Sequence, residues 1–136
     1  VAPYMREQGW GRIINVSGMA ARQASSIVGS IRNAAVVAMT RNLAAQLGPH
    51  GVNVTVVHPG LTRTERLPAL IAEQARRDGI NPEQAERRMA ESNLVRRIID
   101  ATEVAHVVAF LASPRSSAIN GDVIAAGGGA GLAIHY

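Results

Sequence analysis

The sequence predicts an α/β fold built on a partial, doubly wound parallel sheet, and three observations predict it. Two short apolar runs, Arg12 to Ser17 and Val52 to Val57, show almost no polar alternation, as strands covered by helices on both faces do. Between them lies a helical repeat closed by a Gly-Pro pair, so strand, helix and strand follow with tight joins. A second helix and a third run, Asp122 to Ala125, then repeat the alternation. Residues 1–136 read as a single partial domain with a helical lid at about 61–100.

Each element has its own signal. Pro3 to Gln8 reads as the tail of a helix closed by Gly9 and Gly11, and Arg12-Ile13-Ile14-Asn15-Val16-Ser17 as a strand. Gly18 to Ser30, rich in Ser, Ala and Gly, reads as a loop feeding a helix. From Asn33 the pattern turns helical: Val36, Met39, Thr40, Leu43 and Leu47 recur at three- and four-residue steps and form one apolar stripe. Gly48 and Pro49 stop that helix, Gly just past the last turn and Pro beyond it. Val52 to Val57 is a β-branched strand broken at Pro59-Gly60.

Leu61 to Asp100 is charged, weakly periodic and long for a connection. Asn81-Pro82-Glu83-Gln84 is a strong helix start, with Asn as cap, Pro at the first helical position and Gln reaching back. Two short helices are expected, 65–78 and 82–91. An insertion after a strand's carboxyl end is commonly an active-site lid. Asp100 or Thr102 caps a further helix with Val104, Val107, Val108 and Leu111 on its buried stripe, ended by Ser113-Pro114. Asp122 to Ala125 is the last strand, followed by Gly127-Gly128-Gly129; no repeat or second domain is visible.

Composition excludes several classes. With no cysteine there are no disulfides, thiolate nucleophiles or thiolate metal sites, which suits a reducing cytoplasm, the expected location. The apolar runs reach about a dozen residues, too short to span a bilayer, and no basic, then apolar, leader opens the chain. It starts Val1-Ala2-Pro3 without Met, as a fragment or a processed chain does. The net charge of +4 and pI near 11 invite a nucleic-acid reading. Eight of the 14 arginines, however, lie between Arg63 and Arg97, interleaved with Glu65, Glu73, Asp78, Glu83, Glu86 and Glu91. Mixed signs at helical spacing mark a solvated face, so neither nucleic acid nor membrane is expected as a partner. The same arginines offer an alternative: recognition of an acidic or phosphate-bearing substrate such as an acyl carrier. His50, His58, His106 and His135 stand at no metal-ligand spacing, and no metal is expected.

Five segments, in order, resemble the carboxyl-terminal half of the short-chain dehydrogenase/reductase (SDR) family. They are Gly11 to Ser17, Asn33 to Ala44, Val52-Asn53-Val54 with Val57-His58-Pro59-Gly60, Ala109 to Ser113, and Ile119 to Ile124. The resemblance covers about Pro3 to Gly129. It implies strands 5, 6 and 7 of a Rossmann-type sheet and NAD or NADP as cofactor. It further implies a small-molecule carbonyl or alcohol substrate, and a homo-oligomer or pairing with a related subunit through the long helix. The family's Gly-rich turn, where a helix N-terminus holds the dinucleotide pyrophosphate, has no counterpart here. Strand 5 would then expose the edge that strand 4 covers.

The resemblance also locates what has changed in the chemistry. The family uses a Tyr to relay a proton, a Lys four residues on to lower its pKa, and a Ser to orient the substrate oxygen. This chain has no lysine, and its only tyrosines are Tyr4 and Tyr136. Alignment on Ala34-Ala35 puts Asn33 in the lysine slot and Gly29 in the tyrosine slot; the family's strand 5 usually ends in two serines, the second catalytic, and Gly18, one residue after Ser17, holds that second position. Ser17 and Asn33 are the catalytic candidates; the alternatives are a strand-terminal serine and a helix-start asparagine. Arg32 is the one cation nearby, and a guanidinium relays no protons. Pro59, Gly60, Thr62 and Thr64 are the cofactor-binding candidates, with Thr64 in the family's position for the nicotinamide carboxamide. The alternative there is a strand-ending turn and a helix cap. The implied function is an NAD(P)-dependent carbonyl/alcohol oxidoreductase, truncated or with a degenerate site, whose isolated chain is inactive or weak. The competing reading is a non-catalytic interaction module that pairs with itself or with a full-length relative.

Overall fold

The computed structural model describes residues 1–22 and 26–131; His135 and Tyr136, and residues 23–25 of the expected Gly18 to Ser30 loop, lie outside them. The helices are α1 (Ala2–Glu7), α2 (Ile27–Leu47), α3 (Leu67–Asp78), α4 (Pro82–Ala90) and α5 (Ala101–Ala112). The strands are β1 (Gly11–Val16), β2 (Val52–Pro59), β3 (Thr62–Arg63), β4 (Ile99–Asp100) and β5 (Val123–Ala126). β1, β2 and β5 form one parallel sheet in the order β1-β2-β5. Gly11 pairs with Val52 and Val16 with Val57, while Val56 pairs with Val123 and Pro59 with Ala126.

β2 is the central strand, and its Val52, Val54, Val56 and Val57 are fully buried. Val54 shares one cluster with Val52, Ala44, Leu47, Ile13 and Leu43, so that face of the sheet lies under α2. Alternation then turns Thr55 and Val57 to the opposite face, and α5 packs across all three strands. One polar link ties the first layer together. Asn15 Nδ2 donates to Thr40 Oγ1 (2.9 Å), and that hydroxyl donates to the Val36 carbonyl (2.8 Å).

The structure corrects the expected start of the long helix and one residue, Met39, of its expected stripe. α2 begins at Ile27 rather than Asn33, because Ser26 caps it: its Oγ accepts the Gly29 N–H at 3.0 Å. The serine that suggested a loop is therefore a helix signal. The buried residues are Asn33, Thr40, Ala44 and Leu47, and Met39 is 46% exposed. Val36, Thr40, Leu43 and Leu47 of the expected stripe are buried or half-buried, and Met39 alone falls outside it. The Asn15–Thr40 bond selects the face. Gly48 and Pro49 do end α2 at Leu47, with Gly48 right-handed (φ −54°); the chain reverses at Gly51 (φ +76°), after a 3-10 turn over Gly48–His50. Gly48 is instead needed for space, since a Cβ there would stand 2.8 Å from Asn120 Nδ2. The Asn120 Oδ1 accepts the Val54 N–H at 2.8 Å.

Residues 61–100 hold more order than their charge suggested. Leu67, Ile71, Ala75, Ala85 and Ile98 form a second core, and β3 pairs with β4 in a two-stranded parallel sheet absent from the sequence reading. Asn81 and Gln84 form the expected reciprocal cap, with Asn81 Oδ1 accepting the Gln84 N–H at 2.8 Å. α3 starts two residues later than expected, with Pro68 in its first turn. The arginines pair on the surface: Arg63 with Glu86 and Asp100, Arg77 and Arg88 with Asp78.

Asp100 precedes α5, and the Glu103 carboxylate accepts its N–H at 2.9 Å. Both Glu103 oxygens also accept from Arg97 at 2.6 Å. The Arg97 bonds first, then the Asp100 amide, hold the Glu103 pKa at about 2, below its ordinary 4.5. A depressed acid pKa contributes stability that is present above the unfolded value and is lost as pH falls through the folded one. The fold is therefore expected to lose stability between about pH 4.5 and pH 2, and Glu103→Gln to flatten that part of the profile in thermal melts.

Candidate functional site

The parallel register brings three strand ends to one edge. The Ser17 N–H donates to the Val57 carbonyl (2.9 Å), extending the ladder one residue past β1; Pro59 ends β2, and Gly127 follows β5. In open α/β sheets ligands bind outside the carboxyl ends of the strands. Gly60 and Gly127 meet backbone to backbone: a Cβ on Gly60 would stand 2.7 Å from the Gly127 Cα, and one on Gly127 2.9 Å from the Gly60 Cα. The Gly128 carbonyl then accepts the Leu94 and Val95 amides at 2.9 and 3.2 Å, tying the β5 end to the 92–97 loop.

Because Val16 pairs with Val57 and His58 with Ala125, Ser17 and His58 stand side by side on the α2 face of the sheet. The Ser17 Oγ and both His58 ring nitrogens are buried without a hydrogen-bond partner. His58 is 0% exposed, and burial, with the Arg22 charge second, pushes its pKa below the ordinary 6.5. Asn33 is 7% exposed, and its Nδ2 lies 3.1 Å from where a Cβ on Gly18 would stand. The structure thus brings Asn33 to the end of β1 beside Ser17-Gly18. It removes the helix-start alternative for Asn33, which lies well inside α2. Gly29 is in the helix's capped first turn, and Arg32 is exposed.

The four residues expected to bind cofactor divide. Pro59 and Gly60 are at the sheet edge, and the Thr62 hydroxyl donates to the Gly60 carbonyl (3.0 Å), stiffening the turn. Thr64 is exposed and caps no helix: the residue preceding α3 is Arg66, and only the Thr64 carbonyl is engaged, by Leu67 N–H at 3.0 Å. It opens onto a cavity of about 360 Å³ between α3 and α4, with Arg63, Leu67, Ile71 and Glu83 on the walls. Thr64 shares that cavity with residues of α3 and α4, whereas Pro59, Gly60 and Thr62 do not line it. The described residues offer no strand, Gly-rich turn and helix for a pyrophosphate.

Sequence reasoning missed His58, Arg22 and the glycines at 127–129. The observed register, which pairs Gly11 with Val52, sets Ser17 beside His58, and neither apolar run announces it. The Gly60–Gly127 approach had no local signal. Among the described residues no group of three His, Asp or Glu could hold a metal ion. No helix among them is long and apolar enough to cross a membrane.

Comparison with known proteins matches residues 1–131 to the family model described as enoyl-(acyl carrier protein) reductase. The chain is 33% identical to the NADPH-dependent reductase BacG of Bacillus subtilis over 127 residues, 92% of this chain and 49% of that protein. It is 38% identical to the short-chain reductase protein NovJ of Streptomyces niveus over 130 residues, 95% of this chain and 48% of NovJ. The chain spans about half the length of the curated relatives it matches. Among solved structures, YwfH, an NADPH-dependent reductase involved in bacilysin biosynthesis, superposes with a TM-score of 0.88 at 30% identity, over 98% of this chain and 52% of that one. An actinorhodin polyketide ketoreductase solved with NADPH gives 0.82 at 26% identity, over 91% of this chain and 48% of that one.

Proposed function

The chain belongs to the short-chain dehydrogenase/reductase family, and we propose that it supplies the carboxyl-terminal half of an NAD(P)-dependent carbonyl/alcohol oxidoreductase site whose proton-transfer residues have been replaced. The observation that carries this reading is the convergence of Ser17, Asn33 and the Pro59-Gly60 turn at one edge of the parallel sheet. Pro59, Gly60, Thr62 and Thr64 would hold the nicotinamide end, which when bound supplies or accepts a hydride. Ser17 and Asn33 are left to orient a substrate oxygen, and neither is an acid comparable to a phenol. The substrate class is a small carbonyl compound or alcohol.

Titration with NADH and NADPH tests the proposal. Saturable binding at millimolar cofactor is expected, and its absence would remove the enzyme reading for the isolated chain. Thr64→Val is expected to weaken that binding roughly 2- to 10-fold, the worth of one hydrogen bond, without changing the melting temperature. The same proposal places the chain in the cytoplasm, where a cysteine-free sequence is at home.

A second reading, pairing with itself or with a related subunit, has an observation of its own. β1 is an edge strand whose Val16 is 62% exposed, and α2 exposes Ile27, Val28 and Ile31. Apolar surface and an open strand edge together favour association. The purified chain is expected to sediment as an oligomer; a stable monomer would contradict this.

A further inference from the structure

Asn120-Gly121 is the one Asn-Gly step in the chain; each of the other six asparagines is followed by Val, Ala, Leu or Pro. The step matters because an Asn side chain can be attacked by the backbone nitrogen of the next residue. Gly121, with no Cβ, leaves that approach open. Side chains crowd it after the other asparagines, and Pro82 has no N–H to lose. In the reaction the Gly121 nitrogen gives up its proton and bonds to the Asn120 Cγ, and the Cγ–Nδ2 bond breaks to release ammonia. Water then opens the five-membered imide at either carbonyl. One product carries an aspartate at position 120. In the other, an isoaspartate, the main chain runs through the former side-chain carbonyl and is one carbon longer. No oxidant or reductant is needed.

The fold holds both reacting groups on one residue of β2. The Gly121 N–H, whose proton must be lost, donates to the Val54 carbonyl at 2.8 Å. The Asn120 Oδ1 accepts the Val54 N–H, also at 2.8 Å. Val54 is fully buried, so water does not compete for these bonds while the strand is in place. The flanking backbone is tied down as well. Asn53 Nδ2 donates to the Ser117 and Ile119 carbonyls at 2.9 Å, and the Val56 N–H to the Asp122 carbonyl at 3.1 Å. Solvent access is not what protects the step: Asn120 lines an open cleft of about 230 Å³ with Arg41, Ala44 and Ala45, through which water enters and ammonia leaves.

We propose that Asn120 is a covalent modification site gated by the junction of β2 with residues 117–122: protected while the junction is closed, deamidated when it opens. The rate then follows the fraction of time the junction spends open, and the product is an irreversible record of opening. The isoaspartate cannot restore both bonds to Val54, because the added carbon shifts the acceptor at position 120 relative to the Gly121 N–H. The segment leads straight into β5, where Val123 pairs with Val56, and the end of β5 brings Gly127 against Gly60. Modification therefore loosens the β5 side of the candidate site. The inference is independent of the nicotinamide reading above.

The test is incubation of the folded chain, and of the same chain in denaturing guanidinium chloride, at pH 8 and 37 °C, followed by trypsin and mass spectrometry. Cleavage after Arg115 gives a peptide from Ser116 to Tyr136 with no other Asn or Gln, so a gain of one mass unit there reports Asn120 alone. The folded chain is expected to be modified at least ~10-fold more slowly than the denatured one. Asn53→Ala removes the bonds to Ser117 and Ile119 and is expected to raise the folded rate at least ~5-fold, with the denatured rate unchanged. Circular dichroism first shows that the variant is folded; if it is not, Gly48→Ala, whose Cβ stands 2.8 Å from Asn120 Nδ2, takes its place with the same expectation. Equal rates in the folded and denatured chain would overturn the gate, as would a folded variant modified no faster than the parent. Chains carrying the isoaspartate are expected to melt at a lower temperature than unmodified ones, and equal melting would overturn the claimed loss at β5. The readout uses no cofactor, so failure here is separate from failure to bind NADPH.

Discussion

Gly51→Ala is expected to destabilise the protein by about 2–5 kcal/mol. Gly51 sits at φ +76°, where an L side chain costs about 1–2 kcal/mol. An added Cβ would also run into the Gly9 carbonyl, and forcing extra volume into a packed junction costs about 1–3 kcal/mol more. The junction cannot relax cheaply. The Gly51 carbonyl accepts the Gly11 N–H at 3.3 Å and Gly11 packs on Met5, so α1, β1 and β2 would shift together. Gly79→Ala is the control: φ is +65°, but no atom lies within 4 Å of the added Cβ. Only the conformational cost of about 1–2 kcal/mol should then appear. Urea unfolding of both variants decides the matter, and equal losses would show that the close approach to Gly9 carries no energy.

Carbonyl reduction by this chain is expected to run about 10²- to 10⁴-fold slower than in a family member that retains the tyrosine, a barrier increase of about 3–5 kcal/mol. Gly29, in the tyrosine slot, has no side chain, and Asn33 in the lysine slot is buried against Gly18 with an amide in place of a charge. Ser17 offers a hydroxyl at the strand end, buried and unpartnered, but no base or cation bonds to it. Steady-state reduction with NADPH, run beside a tyrosine-bearing relative on one substrate, measures the gap. A rate within tenfold of the relative would show that another group donates the proton.

Much of the architecture was readable before any coordinates, and for definite reasons. The apolar runs at Arg12 to Ser17 and Val52 to Val57 became β1 and β2 because continuous β-branched sequence suits a strand buried on both faces. Asn81 and Gln84 formed their reciprocal cap because that interaction is local, spanning one turn. The start of α2 was misread because Ser26 sits among residues that equally suit a loop. Its buried stripe was legible except at Met39, which adjoins Thr40; the bond from Asn15 shows that Thr40 is the one turned inward.

The site divides along the same line. The sequence by itself determined the fold class, the family's segment order, and the absence of a Tyr–Lys pair and a Gly-rich turn, because residue identity and spacing need no third dimension. Tertiary structure decided that Ser17 lies beside His58, that Asn33 abuts Gly18, and that Gly60 touches Gly127. Those pairs are between 15 and 67 residues apart along the chain. Their proximity is set by strand register and helix packing, which local propensity does not encode.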